Sequence, residues 1–261
     1  MSRKTALITG SSSGIGLELA RVFAAAGYDL ILTARRAGLL RTLADELSIA
    51  EDVTVHVLPL DLAQPAAAED LWRAATALAP EIDVLVNNAG FGDACEFAQE
   101  SAERVEGMIQ LNIAALTALT RLALPGMLAR GRGNVLNVAS LAGMTPGGPG
   151  MAVYFATKSY VLSFTRAIRR ELHGTGVIVT ALCPGATHTG FEQAAHAQDT
   201  RLFRTAATNA AVVARAGYEG MRRGAAVVIP GWRNRVIALS ARFTPAPLVL
   251  AINRWLLNTR R

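Results

Sequence analysis

The chain has 261 residues, 51% of them hydrophobic, enough for one large domain with a well-buried core. Its two cysteines, Cys95 and Cys183, exclude a disulfide framework or a cysteine-rich metal site and fit a reducing cytoplasm. The net charge of +6 is uneven, because no acidic residue follows Glu219 while eight arginines do: Arg222, Arg223, Arg233, Arg235, Arg242, Arg254, Arg260 and Arg261.

The opening segment MSRKTALITG turns polar and glycine-rich too early for a signal peptide. The uncharged stretch between Arg242 and Arg254 falls short of the ~20 residues that span a bilayer, so no transmembrane segment is expected. Nearly continuous apolar runs such as TALIT, DLILT, VTVHVL, IDVLV, NVLNV, VIVTAL and AAVVI predict strands near 4–9, 28–34, 53–58, 82–86, 133–138, 176–182 and 225–229. Helical spacing fills the intervals, at roughly 14–27, 37–50, 65–79, 101–130, 151–173 and 199–223, with Gly27, Gly131 and Gly174 placed as stops. Alternating strands and helices predict an α/β, Rossmann-type doubly wound parallel sheet of about seven strands. Residues 1–230 form this single domain, and 231–261 form an amphipathic C-terminal extension that packs on the domain or on a partner.

In such a sheet, ligands bind beyond the carboxyl ends of the strands. The first strand runs into TGSSSGIG (9–16), where Gly10, Gly14 and Gly16 permit a sharp turn. With Ser12, Ser13 and Ile15 they bring backbone amides and a helix N-terminus toward a pyrophosphate. The second strand ends in LTARR, so Arg35 and Arg36 stand where an acid would bind a free ribose 2′-hydroxyl. A guanidinium grips a 2′-phosphate with two hydrogen bonds, which predicts NADP(H) over NAD(H).

Taken together, TGSSSGIG (9–16), Asp61-Leu62, NNAG (87–90), Asn112, Ser140, YFATK (154–158) and PGATHT (184–189) resemble the short-chain dehydrogenase/reductase family over residues 4–230. The resemblance implies that Asp61, beside Leu62, contacts the adenine and that Asn88, Ala89 and Gly90 shape the cofactor floor. It further implies that Pro184, Gly185, Thr187 and Thr189 border the nicotinamide end. It assigns Asn112, Ser140, Tyr154 and Lys158 to catalysis, with Tyr154 and Lys158 also meeting the cofactor. Asn112 would support a water linking Lys158 to solvent. One departure is the interval of 14 between Ser140 and Tyr154, one more than the family pattern, which implies a moved pocket wall with the catalytic set kept.

Tyr154 and Lys158 are four apart and share one helix face. An ammonium ~5 Å from the phenol would favour phenolate by roughly 3 kcal/mol at an effective dielectric of 20, or about two pKa units. Tyr154 is then the general acid that protonates a carbonyl oxygen as hydride arrives, and Ser140 hydrogen-bonds the same oxygen.

The Gly/Pro/Met loop after Ser140, with Met144 and Met151, offers adaptable apolar surface and suits a mainly apolar substrate. ATHTGFEQAAHAQDTRLF predicts a lid in which Phe191, Leu202 and Phe203 close over it, with Gly185 and Gly190 as pivots. His188 and His196 lack neighbouring ligands, and no metal is expected.

In the tail, Pro247 can begin a helix with Leu248, Val249, Ile252, Trp255 and Leu256 on one side. Packing on the domain or a second subunit is the first expectation; weak peripheral membrane contact through Arg242, Arg254, Arg260 and Arg261 is the alternative. The function expected is an NADP(H)-dependent ketone or aldehyde reductase, or alcohol dehydrogenase, acting on a small molecule as a cytoplasmic homodimer or homotetramer. A 3-oxoacyl-thioester reductase and a non-catalytic NADP(H)-binding sensor are the alternatives. Diffuse charge gives no reason to expect nucleic-acid binding.

Overall fold

Apolar strands without polar alternation need cover on both faces, and a parallel sheet between two helix layers supplies it. The computed structural model describes residues 3–258. Its strands are β1 Thr5–Thr9, β2 Asp29–Thr33, β3 Val55–Val57, β4 Val84–Asn87, β5 Gly133–Val138, β6 Val177–Leu182, β7 Thr187–His188, β8 Thr208–Asn209 and β9 Val227–Val228. Seven of them form one parallel sheet in the order β3-β2-β1-β4-β5-β6-β9, while β7 and β8 pair separately. The strand order reverses between β1 and β4, which places a crevice at their carboxyl ends.

The helices are α1 Gly14–Ala25, α2 Ala37–Glu51, α3 Ala67–Leu78, α4 Ala102–Ile109, α5 Leu116–Ala129, α6 Ala152–Glu171, α7 Phe191–Ala194, α8 Arg201–Ala206, α9 Ala210–Arg222, α10 Trp232–Phe243 and α11 Ala246–Leu257. One core layer packs α1, α2 and α9 on the sheet through Leu19, Phe23, Leu40, Val213 and Met221. The opposite layer uses Leu71, Leu119, Met127 and Ile168 from α3, α5 and α6.

The expected helix 101–130 is continuous in direction but contains a π-helical turn at Gln110–Ala115. Ala102–Ala129 as a whole is long and apolar enough to cross a membrane. Its Ala115, Leu119, Ala123 and Met127 are nonetheless core residues against the sheet. The expected helix 199–223 is two helices: Thr208 and Asn209 are drawn into β8, and Asn209 then caps α9 by accepting the Ala211 amide at 2.8 Å. Helix α10 has no counterpart in the sequence-based expectation; it buries no residue, and its apolar stripe of Trp232, Val236, Leu239 and Phe243 faces outward.

Candidate active site

The glycine turn is dictated by close approach. A Cβ on Gly10, whose φ is +67°, would sit 2.8 Å from Ala89 Cα, and one on Gly16 would overlap the Gly10 carbonyl. Asn88 clamps the turn, its side-chain amide donating to the Thr9 and Gly10 carbonyls at 2.9 and 3.2 Å. Thr9 Oγ1 in return accepts the Asn88 and Ala89 amides at 2.9 Å. Ser13 makes no side-chain cap and the first turn of α1 carries no acid, so its amides face an anion without competition.

Beside this turn, Arg36 donates from Nη2 to Ser12 Oγ (3.0 Å) and Ser13 Oγ (2.8 Å). The guanidinium is therefore held over the turn, with Arg35 on the same rim. Thr33 Oγ1, buried at the end of β2 and facing the cavity, has no hydrogen-bond partner. A dinucleotide fits this cradle: the glycines leave room for a phosphate, the arginines supply cations, and Thr33 offers an unused hydroxyl. Asp61 accepts the Ala63 amide at 3.0 Å and lines the cavity together with Leu62.

The cradle opens into a single cavity of about 590 Å³ that runs on to Ser140, Tyr154 and Lys158. Pro184, Gly185, Thr187 and Thr189 line its opposite wall. Gly16 and Asn112 do not reach the cavity surface. Gly16 lies beneath the turn, and Asn112 sits in the π-helical turn, a distortion common at functional sites. There Asn112 exchanges two hydrogen bonds with the Phe91 backbone (3.1 and 2.9 Å) and donates to Thr157 Oγ1 (3.1 Å). Gly90 keeps the space between Asn112 and Lys158 open, because a Cβ there would stand 2.9 Å from Asn112 Oδ1 and 3.4 Å from Lys158 Nζ.

Lys158 is buried and donates to the Val138 carbonyl at 2.9 Å, with Nζ 5.8 Å from the centre of the Tyr154 ring. The expected lowering of the phenol pKa is not found. Burial pushes Tyr154 up to about 12, opposed only by its hydrogen bond with Ser140, and pushes Lys158 down to about 8. Desolvation outweighs attraction here because Lys158 is buried, the phenol is half-buried against Phe155 and Phe191, and the ammonium is spent on a carbonyl.

Ser140 caps a 3-10 turn, Leu141–Met144, and Gly143 lies so close to the Lys158 carbonyl that a side chain would overlap it. Across this loop Ser140 stands beside Tyr154, within hydrogen-bonding reach of its phenol.

With this geometry in place, residues 4–200 match the short chain dehydrogenase family. The chain belongs to that family. Among curated relatives, the NADP-dependent 3-hydroxy acid dehydrogenase of Salmonella typhi is 42% identical over 180 residues, covering 69% of this chain and 71% of its own. A short-chain dehydrogenase from Sphingobium yanoikuyae, solved with NADPH, is 34% identical with a TM-score of 0.83, covering 92% of this chain and 93% of its own. The bulky-bulky ketone specific alcohol dehydrogenase of Comamonas testosteroni is 29% identical with a TM-score of 0.78, covering 93% of each chain.

This short-chain dehydrogenase also places at the site residues that sequence reasoning missed. Tail residues Asn234, Ile237, Asn253, Leu256 and Leu257 line the apolar end of the cavity. Asn253 fastens α11 to the 145–147 loop by donating to Thr145 Oγ1 (3.3 Å) and the Gly147 carbonyl (2.6 Å). Buried Asp93 pairs with Arg104 (3.0 Å) and His196 (2.9 Å) at the lid. Behind the site, Asn87 donates to Thr120 Oγ1 and Asn137 Oδ1, and Asn137 to Thr165 Oγ1, so β4, β5, α5 and α6 are tied below the reacting groups. No spacing rule marks these positions; only the polar residues inside apolar strands at 87 and 137 were a signal.

Of the expected lid, Phe191 lies tilted against Tyr154 with ring centres 5.1 Å apart, and Phe203 lies tilted against Phe191 at 6.1 Å. His188 faces Glu192 at 4.0 Å, and the described residues hold no cluster of three or more metal-ligand side chains.

Proposed function

We propose that the protein is an NADPH-dependent reductase of a mainly apolar, uncharged ketone or aldehyde, acting reversibly as an alcohol dehydrogenase. The observation that carries this reading is the two-ended cavity. Among the described residues its charged lining is Arg35, Arg36, Asp61 and Lys158, at the dinucleotide end and the catalytic corner, while Met151, Phe191, Leu202, Phe203 and Leu257 close the other end. A small carboxylate of the kind named for the Salmonella relative would find, among the described residues, no arginine or lysine there except Lys158.

Gly10, Gly14 and Gly16, with the first-turn amides of α1, would hold the pyrophosphate, and Arg35 and Arg36 a 2′-phosphate. NADPH, when bound, supplies the hydride. Tyr154 donates its proton to the carbonyl oxygen and Ser140 stabilises the charge developing on that oxygen. A phenol pushed up to about 12 is protonated at neutral pH, so the proton to be donated is in place. Lys158, charged below about 8, stabilises the phenolate left after transfer. Asn112 fixes the Phe91 backbone and the open space beside Lys158 through which a water can return the proton.

The test is a panel of aryl and alkyl ketones, 3-oxoacyl thioesters and 3-oxo acids, with NADPH consumption followed at the nicotinamide absorbance. Preference for bulky uncharged ketones is expected. Preference for carboxylates or thioesters overturns the substrate class, and NADPH binding without any turnover overturns the enzymatic reading.

A further inference from the structure

Two independent features converge on the tail. Eight of the sixteen large hydrophobic side chains exposed among the described residues fall between Trp232 and Trp255. Trp232 is 70% exposed, Leu239 60%, Phe243 77% and Trp255 58%. The expected stripe on α11 is divided: Val249 turns inward, while Leu248, Ile252 and Trp255 face outward. The same two helices carry Arg233, Arg235, Arg242 and Arg254 and no acidic residue.

The opposite side of these helices is the cavity wall described above. Ile237, half exposed, stands at its rim and belongs to both surfaces.

We propose that α10 and α11 dock this protein on an anionic lipid surface, setting the mouth of the cavity against the bilayer so that an apolar carbonyl substrate enters from the lipid. The substrate part of this proposal rests on the functional reading given above. Tryptophan and phenylalanine among arginines make up the composition of a helix that lies in the headgroup region, with rings below and guanidinium groups among phosphates. A second copy fits less well. In a two-fold contact each patch meets itself, so this arginine-bearing face would meet an identical one with no carboxylate on either tail helix. Among the described residues the one acid paired with these arginines is Glu96, on another segment, and it takes only Arg254, at 3.3 Å. Arg260 and Arg261, also expected to contribute, lie outside the described residues.

The experiment compares the intact protein with the Trp232→Ser/Phe243→Ser double variant, whose replaced side chains are exposed and do not line the cavity. Each is sedimented with phosphatidylcholine vesicles, with and without phosphatidylglycerol, at low and high salt. The intact protein is expected to bind only the phosphatidylglycerol vesicles and to be released by salt. The double variant should partition at least about tenfold less. Turnover of a long-chain ketone dissolved in the vesicles should fall in parallel, while turnover of a water-soluble ketone stays unchanged.

Absence of binding above the phosphatidylcholine background overturns the proposal. So does light scattering that shows a dimer which the double variant dissociates, because the face then belongs to a second copy. Equal loss of both ketone activities overturns substrate entry from the lipid. Vesicle binding without reduction of either ketone supports docking and refutes the functional reading, so the two fail separately.

Discussion

The two ends of the cavity are built by different means. The dinucleotide end is backbone: glycines where a Cβ would collide, amides at a helix start, and Asn88 holding the turn from the neighbouring strand. The substrate end is assembled from side chains of the 141–151 loop, the lid and the C-terminal helices, none adjacent in sequence. Backbone geometry tolerates almost no variation, whereas a wall of side chains can be rebuilt residue by residue. Changes at the first end should therefore alter cofactor binding, and changes at the second should alter substrate binding.

Tyr154 stands at the junction, and its loss gives the largest effect. Tyr154→Phe keeps the ring packing on Phe191 and removes only the hydroxyl, so NADPH affinity should persist while kcat falls at least ~100-fold. Stopped-flow single turnover with fluorescence binding checks both, and unchanged turnover would remove Tyr154 from the mechanism. Arg36→Ala comes next. Losing one charge-assisted grip should weaken NADPH roughly 10- to 100-fold by titration and leave NADH nearly unchanged. Equal weakening of both cofactors would mean that Arg36 serves only to hold Ser12 and Ser13.

These two residues were legible in the sequence because their chemistry is local: a tyrosine four before a lysine, and arginines at a strand end. The sheet was legible for the same reason, each strand being an unbroken apolar run. The π-helical turn at Asn112 was not, since a one-residue widening leaves the apolar spacing of 101–130 almost unchanged. Nor was the break at 207–209, where pairing with Thr187–His188 overrides helical spacing. The electrostatics of the Tyr154–Lys158 pair was misjudged for a related reason. Spacing gives separation along a helix, but burial of both groups and capture of Nζ by Val138 depend on the folded surroundings.

That correction carries a pH dependence. In the proposed mechanism Lys158 stabilises the developing phenolate only while charged, so reductive kcat/KM should be level below pH 8 and fall about tenfold as pH rises through and beyond about 8. A level profile to pH 10 would remove the ammonium from that role. Stability runs the other way. The unfolded chain keeps the lysine proton to 10.5 and the folded chain releases it at about 8, so stability rises with pH between those values and the full penalty applies below them. Lys158→Met should therefore stabilise the inactive protein at neutral pH by ~1–2 kcal/mol, part of the gain being lost with the Val138 hydrogen bond. Denaturant unfolding at pH 7 and pH 10 measures both terms.

The smallest effect is expected at Asp93, and it separates the two ends most cleanly. Asp93 is buried on the segment after β4, between Arg104 of α4 and His196 of the lid. Arg104 also donates to the Gly92 and Ala194 carbonyls, and the Ala94 amide bonds the Ala195 carbonyl at 2.7 Å, so one ion pair gathers three chain segments. None of Asp93, Arg104 and His196 lines the cavity, so they position the lid and do not touch what it covers. Asp93→Asn keeps the size and removes the charge, leaving Arg104 short of a counterion and His196 with a neutral partner. The lid should loosen by about 1 kcal/mol, which appears as a rise of about fivefold in KM for a bulky ketone. NADPH affinity and kcat should stay level, because Asp93 does not line the cavity and the glycine turn meets the lid at its base, where Gly14 lies against Thr189. A matching loss of NADPH affinity would show that Thr189 transmits lid position to the turn, and that the two ends act as one.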